Sequence, residues 1–417
     1  MAKSSLLSRV LGGLLLVLLF AAARGADAKG LKVLYSFSGG SDGGWPTSGL
    51  IMDAGGNLYG TTYGGGVVNN SICRGGNTNY TCGVVFKLSQ GGAESVLYTF
   101  CTQGNCADGA DPASGLVADQ AGDFYGTTMI GGANDSGTVF ELAAGGTETV
   151  LHSFCSEQNC ADGGYPVGGL AADRAGDLYG AAGTGGNDSA GVIFEIAPNG
   201  TYTVLYSFTG GSDGGSPWAP LLIDKAGNLY GTSAGGGAIN ANCPNGCGTV
   251  FELNRKGAES VLYRFCSQND CRDGSGPNPG VTADKSGNLY GTTFSGGAHG
   301  YGSVFEVTPD GKESVIYSFY CSKKQGCKDG HFPYIGVTAD SEGNLYGGTS
   351  EGLGDTLWGD IFKLDTTGKF SEVQGFNPKE TPCCSAPSAP VLLHGRDLYA
   401  PTAPGATGAG SIIMVTE

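Results

Sequence analysis

Cysteines carry the plainest chemistry in this chain. There are fourteen, and twelve fall into short local pairs: Cys73/Cys82, Cys101/Cys106, Cys155/Cys160, Cys243/Cys247, Cys266/Cys271 and Cys321/Cys327. Paired thiols at such spacing either oxidise to disulfides or hold a metal. Cys243-x3-Cys247 alone has the spacing of half a zinc site. Each pair, however, stands in its own sequence repeat with no histidine beside it, and in an exported chain this pattern reads as disulfides. A bond closing so short a loop is worth about 2 kcal/mol in the chain-entropy account, so it pins a loop and leaves the fold to other forces. Cys383 and Cys384 are adjacent in sequence, and both a vicinal bond and pairing elsewhere stay open.

Carboxylates form the second recurring group. A D-G-x-x-P phrase begins at Asp42, Asp108, Asp162, Asp213, Asp273 and Asp329 and leads to Pro46, Pro112, Pro166, Pro217, Pro277 and Pro333. A ring of such carboxylates could hold Ca²⁺, which takes several oxygens. The other reading is a set of Asx-turns feeding the next strand. Recurrence in nearly every repeat, without a D-x-D-x-D run, favours the turn, so no cofactor or metal is expected and Ca²⁺ remains the alternative. Beside these prolines lie Trp45, Tyr165, Trp218, Phe332 and Tyr334, whereas Asp111-Pro112 and Gly276-Pro277 have no aromatic neighbour. Aromatic rings on an acidic, glycine-rich surface suit sugar binding, stacking on pyranose faces with carboxylates such as Asp42 and Asp213 as hydrogen-bond partners. The competing expectation is that these rings cover the core between repeats. His152, His299, His331 and His394 share no repeat position, so catalytic residues stay unassigned.

The elements that must position these groups repeat as well. An N-L-Y-G-type phrase places tyrosines at Tyr59, Tyr125, Tyr179, Tyr230, Tyr290, Tyr346 and Tyr399. A G-x-[VI]-[FI] phrase begins at Gly83, Gly137, Gly191, Gly248, Gly302, Gly359 and Gly410. A third, of the [VI]-L-Y-x-F type, ends at Phe37, Phe100, Phe154, Phe208, Phe265, Phe319 and Phe376. The period of roughly 55 residues is in the range of propeller units. Each repeat reads as four short strands, exemplified by 116–119, 124–128, 138–142 and 147–154. In the third, Thr138, Phe140 and Leu142 are expected on one face and Val139 and Glu141 on the other. The Asp-x-x-Gly-[Asn/Asp] stretch between the first two is hairpin chemistry.

Four antiparallel strands repeated seven times predict an all-β, seven-bladed β-propeller. The chain opens with a lone fourth strand near 32–37 and finishes on a third strand near 411–415, so their pairing would close the ring. Long segments such as 64–82 and 235–247 all follow second or fourth strands and share one face, where recognition is expected.

Residues 1–28 read as a signal peptide: Lys3 and Arg9 precede LGGLLLVLLFAAA, and Ala26-Asp27-Ala28 offers a cleavage site. The remainder, 29–417, is expected to be one propeller. The chain carries a net charge of −16, and removing Lys3, Arg9, Arg24 and Asp27 leaves about −18. Such a surface repels phosphate backbones and anionic lipid, which argues against nucleic-acid partners and membrane attachment.

The phrases NLYGTT at 57 and 288, and GTVFEL at 137 and 248, resemble the GloVer tandem repeat of exported bacterial "choice-of-anchor" proteins. The resemblance spans roughly residues 31 to 415 and implies export and repeat architecture, but no established activity. Two features depart from it: no sorting signal follows Val415, and the last repeat reads DLYA at 397 and GSII at 410. More distantly, the hairpin phrase is similar to blades of NHL-type and gluconolactonase-type propellers. The expected protein is a secreted or periplasmic, monomeric binding module for carbohydrate or a partner protein. The alternatives are a propeller lactonase or glycan-acting enzyme with a metal in its central channel, and a structural surface protein.

Overall fold

Two of the recurring phrases pair with each other, and that pairing builds each blade. In the first blade Leu58–Thr62 runs antiparallel to Val84–Leu88, with Gly60 opposite Phe86. Ile51–Met52 lies inside and Glu94–Thr99 outside. The computed structural model describes residues 30–66, 82–322, 326–327, 329–350, 359–377, 381, 384–405 and 408–417. The expected signal peptide, Cys73 and Cys383 lie outside the described residues.

The same four-strand order recurs at 117–153, 170–207, 222–264, 281–318 and 338–375, which are blades 2 to 6. Blade 7 combines the two chain ends. Leu31–Ser36 pairs with Ser411–Thr416, Leu31 facing Val415 and Ser36 facing Ser411. Asp397–Pro404 follows, and both Leu392–His394 and Cys384–Pro387 pair with it to complete a five-stranded sheet. The protein is therefore a closed seven-bladed propeller, and joining its ends removes the exposed edges an open array would present. Strand limits differ from the expected ones by a residue or two, and the inner strand of blade 2 shrinks to Val117–Ala118.

The expected alternation holds in the third strands, Phe140 and Leu142 packing toward blade 1 and Val139 toward blade 3, but both faces are buried. Thr138, Val139, Phe140 and Leu142 are all buried, and only Glu141 is partly exposed. The reason is architectural: each blade is sandwiched between two neighbours, so both faces of its middle strands are covered. The principal contact is a pair of phenylalanines. Phe37, Phe100, Phe154, Phe208, Phe265 and Phe319 each meet the third-strand Phe of the next blade edge-on, with centroids 4.9 to 5.4 Å apart. Such pairs contribute about 0.5–1.5 kcal/mol beyond area burial.

The glycine of the N-L-Y-G phrase makes room for this ring. A Cβ at Gly180 would stand 2.4 Å from Cζ of Phe194, and one at Gly347 2.5 Å from Cζ of Phe362. In blade 7 both members change together: Ala400 replaces the glycine and its register partner is Ile413, not Phe. The divergence of the last repeat is thus a matched pair of substitutions.

The [VI]-L-Y-x-F phrase also has a structural cause. The register between third and outer strands skips one residue in every blade. Val85 faces Tyr98 and Phe86 faces Val96, which leaves Leu97 as a β-bulge.

Candidate functional site

The linkers between blades are built from the D-G-x-x-P phrase. Its aspartate folds back onto the outer strand and the linker residues just before it. Asp108 Oδ2 accepts hydrogen bonds from Thr102 N and Oγ1, both at 3.0 Å, and from the Tyr98 hydroxyl at 2.9 Å. Asp42 does the same with Ser38 N and Tyr35 OH, and Asp213 with Thr209 N, the Thr209 hydroxyl and Tyr206 OH. His152, which replaces the tyrosine in blade 2, meets Asp162 at 3.1 Å in the same place. These carboxylates close turns. Asp53 plays the equivalent part in a hairpin, where hydrogen bonds from Asn57 hold its pKa down at about 2.

The residue before each linker proline takes a left-handed backbone, at Trp45, Asp111, Tyr165, Ser216, Gly276 and Phe332. This feature is not evident in the sequence, because only Gly276 is the residue type that ordinarily marks positive φ.

All five disulfides expected among described cysteines are present: Cys101–Cys106, Cys155–Cys160, Cys243–Cys247, Cys266–Cys271 and Cys321–Cys327. Cys82 and Cys384 are disulfide-bonded too. Three of the pairs enclose a short 3₁₀ turn, at Gly104–Cys106, Gln158–Cys160 and Asn269–Cys271. The expectation that every pair is isolated needs correction. The loop pair Cys243/Cys247 lies against the linker pair Cys266/Cys271, and His331 lies within 4.8 Å of Cys321 and Cys327. Loop and linker of one repeat emerge on the same side, so they meet although about 20 residues separate them in sequence.

The five aromatic candidates part company. Tyr334 turns inward and donates its hydroxyl to the Pro387 carbonyl at 2.6 Å, and burial pushes its pKa up to about 12. Phe332 stacks on Phe294 with centroids 4.9 Å apart, and Phe294 is itself exposed. Trp45 is half-buried and covers Gly64, where a Cβ would lie 2.5 Å from its ring. Tyr165 and Trp218 reach solvent, at 38% and 50% exposure.

Those two are brought together by Gly183 in the blade 3 loop. Its N–H donates to the Tyr165 carbonyl at 3.3 Å. The Trp218 indole lies across it so closely that a Cβ would come within 2.6 Å of Nε1. Blades 1, 2, 4, 5 and 6 carry Tyr63, Met129, Ala234, Phe294 and Ser350 at the Gly183 position. Pro217 abuts Gly191, and Ser216 N donates to the Ala190 carbonyl at 2.7 Å, which sets the exposed loop residues Asn187 and Asp188 beside the linker. The arrangement is a fixed aromatic shelf edged with polar groups.

Sequence reasoning missed a second recurring cluster at the blade interfaces. Glu94, Glu148, Glu259 and Glu313 begin outer strands, and each faces the Tyr–Asp pair of the preceding linker. Burial, then the nearby aspartate charge, raises Glu148, Glu259 and Glu313 to about 7. Two interfaces replace the glutamate by an aromatic ring. Tyr202 stacks on His152 at 3.7 Å, and Phe370 stacks on Tyr317 at 5.2 Å. The recurring Glu in E-[ST]-V-[LI]-Y was the available signal.

Cavities between blades open on the side of the tight hairpins. One of 1040 Å³ between blades 2 and 3 is lined by Asp119, Tyr125, Glu141, Leu151 and Asp173. Another of 710 Å³ between blades 5 and 6 is lined by Asp284, Tyr290, Glu306 and Asp340. Their polar groups bond to one another, as Tyr290 OH does to Glu306 at 3.0 Å and Asp284 at 3.2 Å. Among the described residues no helix is long and apolar enough to cross a membrane.

Comparison with known proteins agrees with this architecture. A streptogramin B lyase structure superposes with a TM-score of 0.56 at 13% identity, covering 93% of this chain and 98% of the other. A gluconolactonase from Xanthomonas campestris aligns over 95% and 92%, at 13% identity and a TM-score of 0.40. No curated protein matches the sequence. The Gloeobacter/Verrucomicrobia repeat matches at residues 21–157, 71–282 and 280–417, and the chain belongs to that repeat family.

Proposed function

We propose that this propeller is an exported, non-catalytic binding module that takes up a polysaccharide on its loop-rich face, with Trp218 and Tyr165 as the stacking platform. The observation that carries the reading is the seat of Trp218: half of a large apolar side chain is presented to water, yet its indole is held against a glycine that admits no other residue without displacement. A ring already fixed in place loses little conformational entropy on binding, which suits it to stacking on a sugar. The acidic surface favours neutral glycans over anionic ones. Multiple disulfides fit an oxidising compartment.

The lyase and lactonase likenesses support the fold alone, because activity resides in the residues of a site and not in the scaffold. Titration of the oxidised protein with neutral polysaccharides tests the reading. Saturable binding that disappears in Trp218→Ala supports it. Binding that survives this change refutes the platform, and binding only to a protein ligand moves the assignment to a partner surface.

A further inference from the structure

The loop cysteines of blade 4 have no evident task in closing the linker beside them. In the linker after blade 2, Cys155–Cys160 forms with the same 4.0 Å Cα separation as Cys266–Cys271, and the adjoining loop there carries Asn134, Asp135 and Ser136 instead of cysteine. Blade 4 nevertheless brings a second pair against the first. The sulfurs of Cys243, Cys247, Cys266 and Cys271 all lie within 4.8 Å of one another. Cys247, Cys266 and Cys271 are buried and Cys243 is partly buried. Two side-chain amides point at this group. Asn240 Nδ2 donates to Cys266 Sγ at 3.2 Å and Cys247 Sγ at 3.6 Å, and Asn242 Nδ2 donates to Cys271 Sγ at 3.5 Å. A disulfide sulfur accepts such bonds weakly, whereas a metal-bound thiolate is oriented and stabilised by them.

We propose that Cys243, Cys247, Cys266 and Cys271 form a redox-gated site for one thiophilic divalent cation, Zn²⁺ in the first instance. A Zn–S distance of about 2.3 Å places tetrahedral thiolates about 3.8 Å apart, so sulfurs of different pairs already lie within range and those of each disulfide part by about 1.8 Å once reduced. In the balanced reaction, two external dithiols supply four electrons and four protons to the two disulfides and are themselves oxidised to disulfides. The four thiols formed release their protons as one Zn²⁺ binds. Metal occupancy and disulfide formation therefore exclude each other, and the reducing power around the chain selects between them. Cys82, Cys101 and Cys106 group in the same way after blade 1, and Cys321 and Cys327 group with His331 after blade 5, so the test must silence both of these clusters.

The test uses the full chain carrying Cys101→Ser, Cys106→Ser, Cys321→Ser and Cys327→Ser, reduced under anaerobic conditions and titrated with Co²⁺ and then Zn²⁺. The expected result is one equivalent of tetrahedral thiolate-bound Co²⁺, visible by its intense d–d absorption and displaced by Zn²⁺. Adding Cys243→Ser and Cys266→Ser should remove that equivalent, whereas Cys155→Ser with Cys160→Ser should leave it. Absorption that persists without Cys243 and Cys266 overturns the proposal. So does a folded, reduced chain with no thiolate absorption, or a chain that loses its β-sheet circular dichroism on reduction and does not regain it with Zn²⁺.

Discussion

The linker between blades 3 and 4 and the linker between blades 5 and 6 start from the same phrase and end in opposite states. Each places an aromatic residue directly after its proline, Trp218 in one and Tyr334 in the other. Trp218 stays half exposed on Gly183, whereas Tyr334 is drawn inward to the Pro387 carbonyl. The cause is the residue on the shelf. Where blade 3 has Gly183, blade 5 has Phe294, and its stack with Phe332 fills the space an indole would need. The second linker is also tied by Cys321–Cys327 and by the Tyr317–Phe370 stack, while the first has no cysteine and faces Glu259. One scaffold thus supplies a closed linker and an open one whose aromatic ring faces solvent.

Breaking the open linker should have the largest effect. Trp218→Ala is expected to cost about 2 kcal/mol or more of polysaccharide affinity, roughly thirtyfold in Kd, with little change in Tm. Isothermal titration beside a melting curve separates the two readouts. Gly183→Phe copies the blade 5 shelf and should displace the indole. Affinity should then fall by about tenfold, because Tyr165 keeps its place.

A smaller effect follows from Glu259. Its folded pKa of about 7 stands above the usual 4.5, through burial and then the Asp213 charge, partly offset by Arg264, with Tyr206 completing the cluster. A carboxyl raised on folding stabilises the protein below its unfolded pKa, and that contribution is lost as pH rises through the folded value. Tm should therefore fall between pH 4.5 and 7 more steeply in the wild type than in Glu259→Gln. A parallel pair of curves would remove this cluster from the account. Smallest is Tyr334→Phe, which leaves the Pro387 carbonyl short of a donor and should cost about 1 kcal/mol of stability without touching binding.

Much of this architecture was legible in the chain, because repetition exposes the strands and offset ends expose the closure. The Asp turns and local disulfides followed from residue type and spacing. Other features were not legible, for particular reasons. The left-handed backbone at Trp45, Tyr165 and Phe332 arises at residues that rarely adopt it, so no composition rule marks it. The two-faced burial of Val139 and Phe140 comes from neighbouring blades, which a single strand's periodicity cannot register. Gly183 looked like one more loop glycine among many, and its meaning lies in what rests on it. The divergent Asp397-Leu-Tyr-Ala phrase reads as decay in sequence, yet Ala400 and Ile413 compensate each other in register.

The most direct measurement is a glycan array probed with the oxidised protein, its Trp218→Ala variant and its Tyr334→Phe variant, with and without EDTA. The account predicts a glycan bound by the parent and by Tyr334→Phe, lost in Trp218→Ala, and indifferent to EDTA. An array blank for all three proteins, or glycan binding that Trp218→Ala leaves intact, would contradict it.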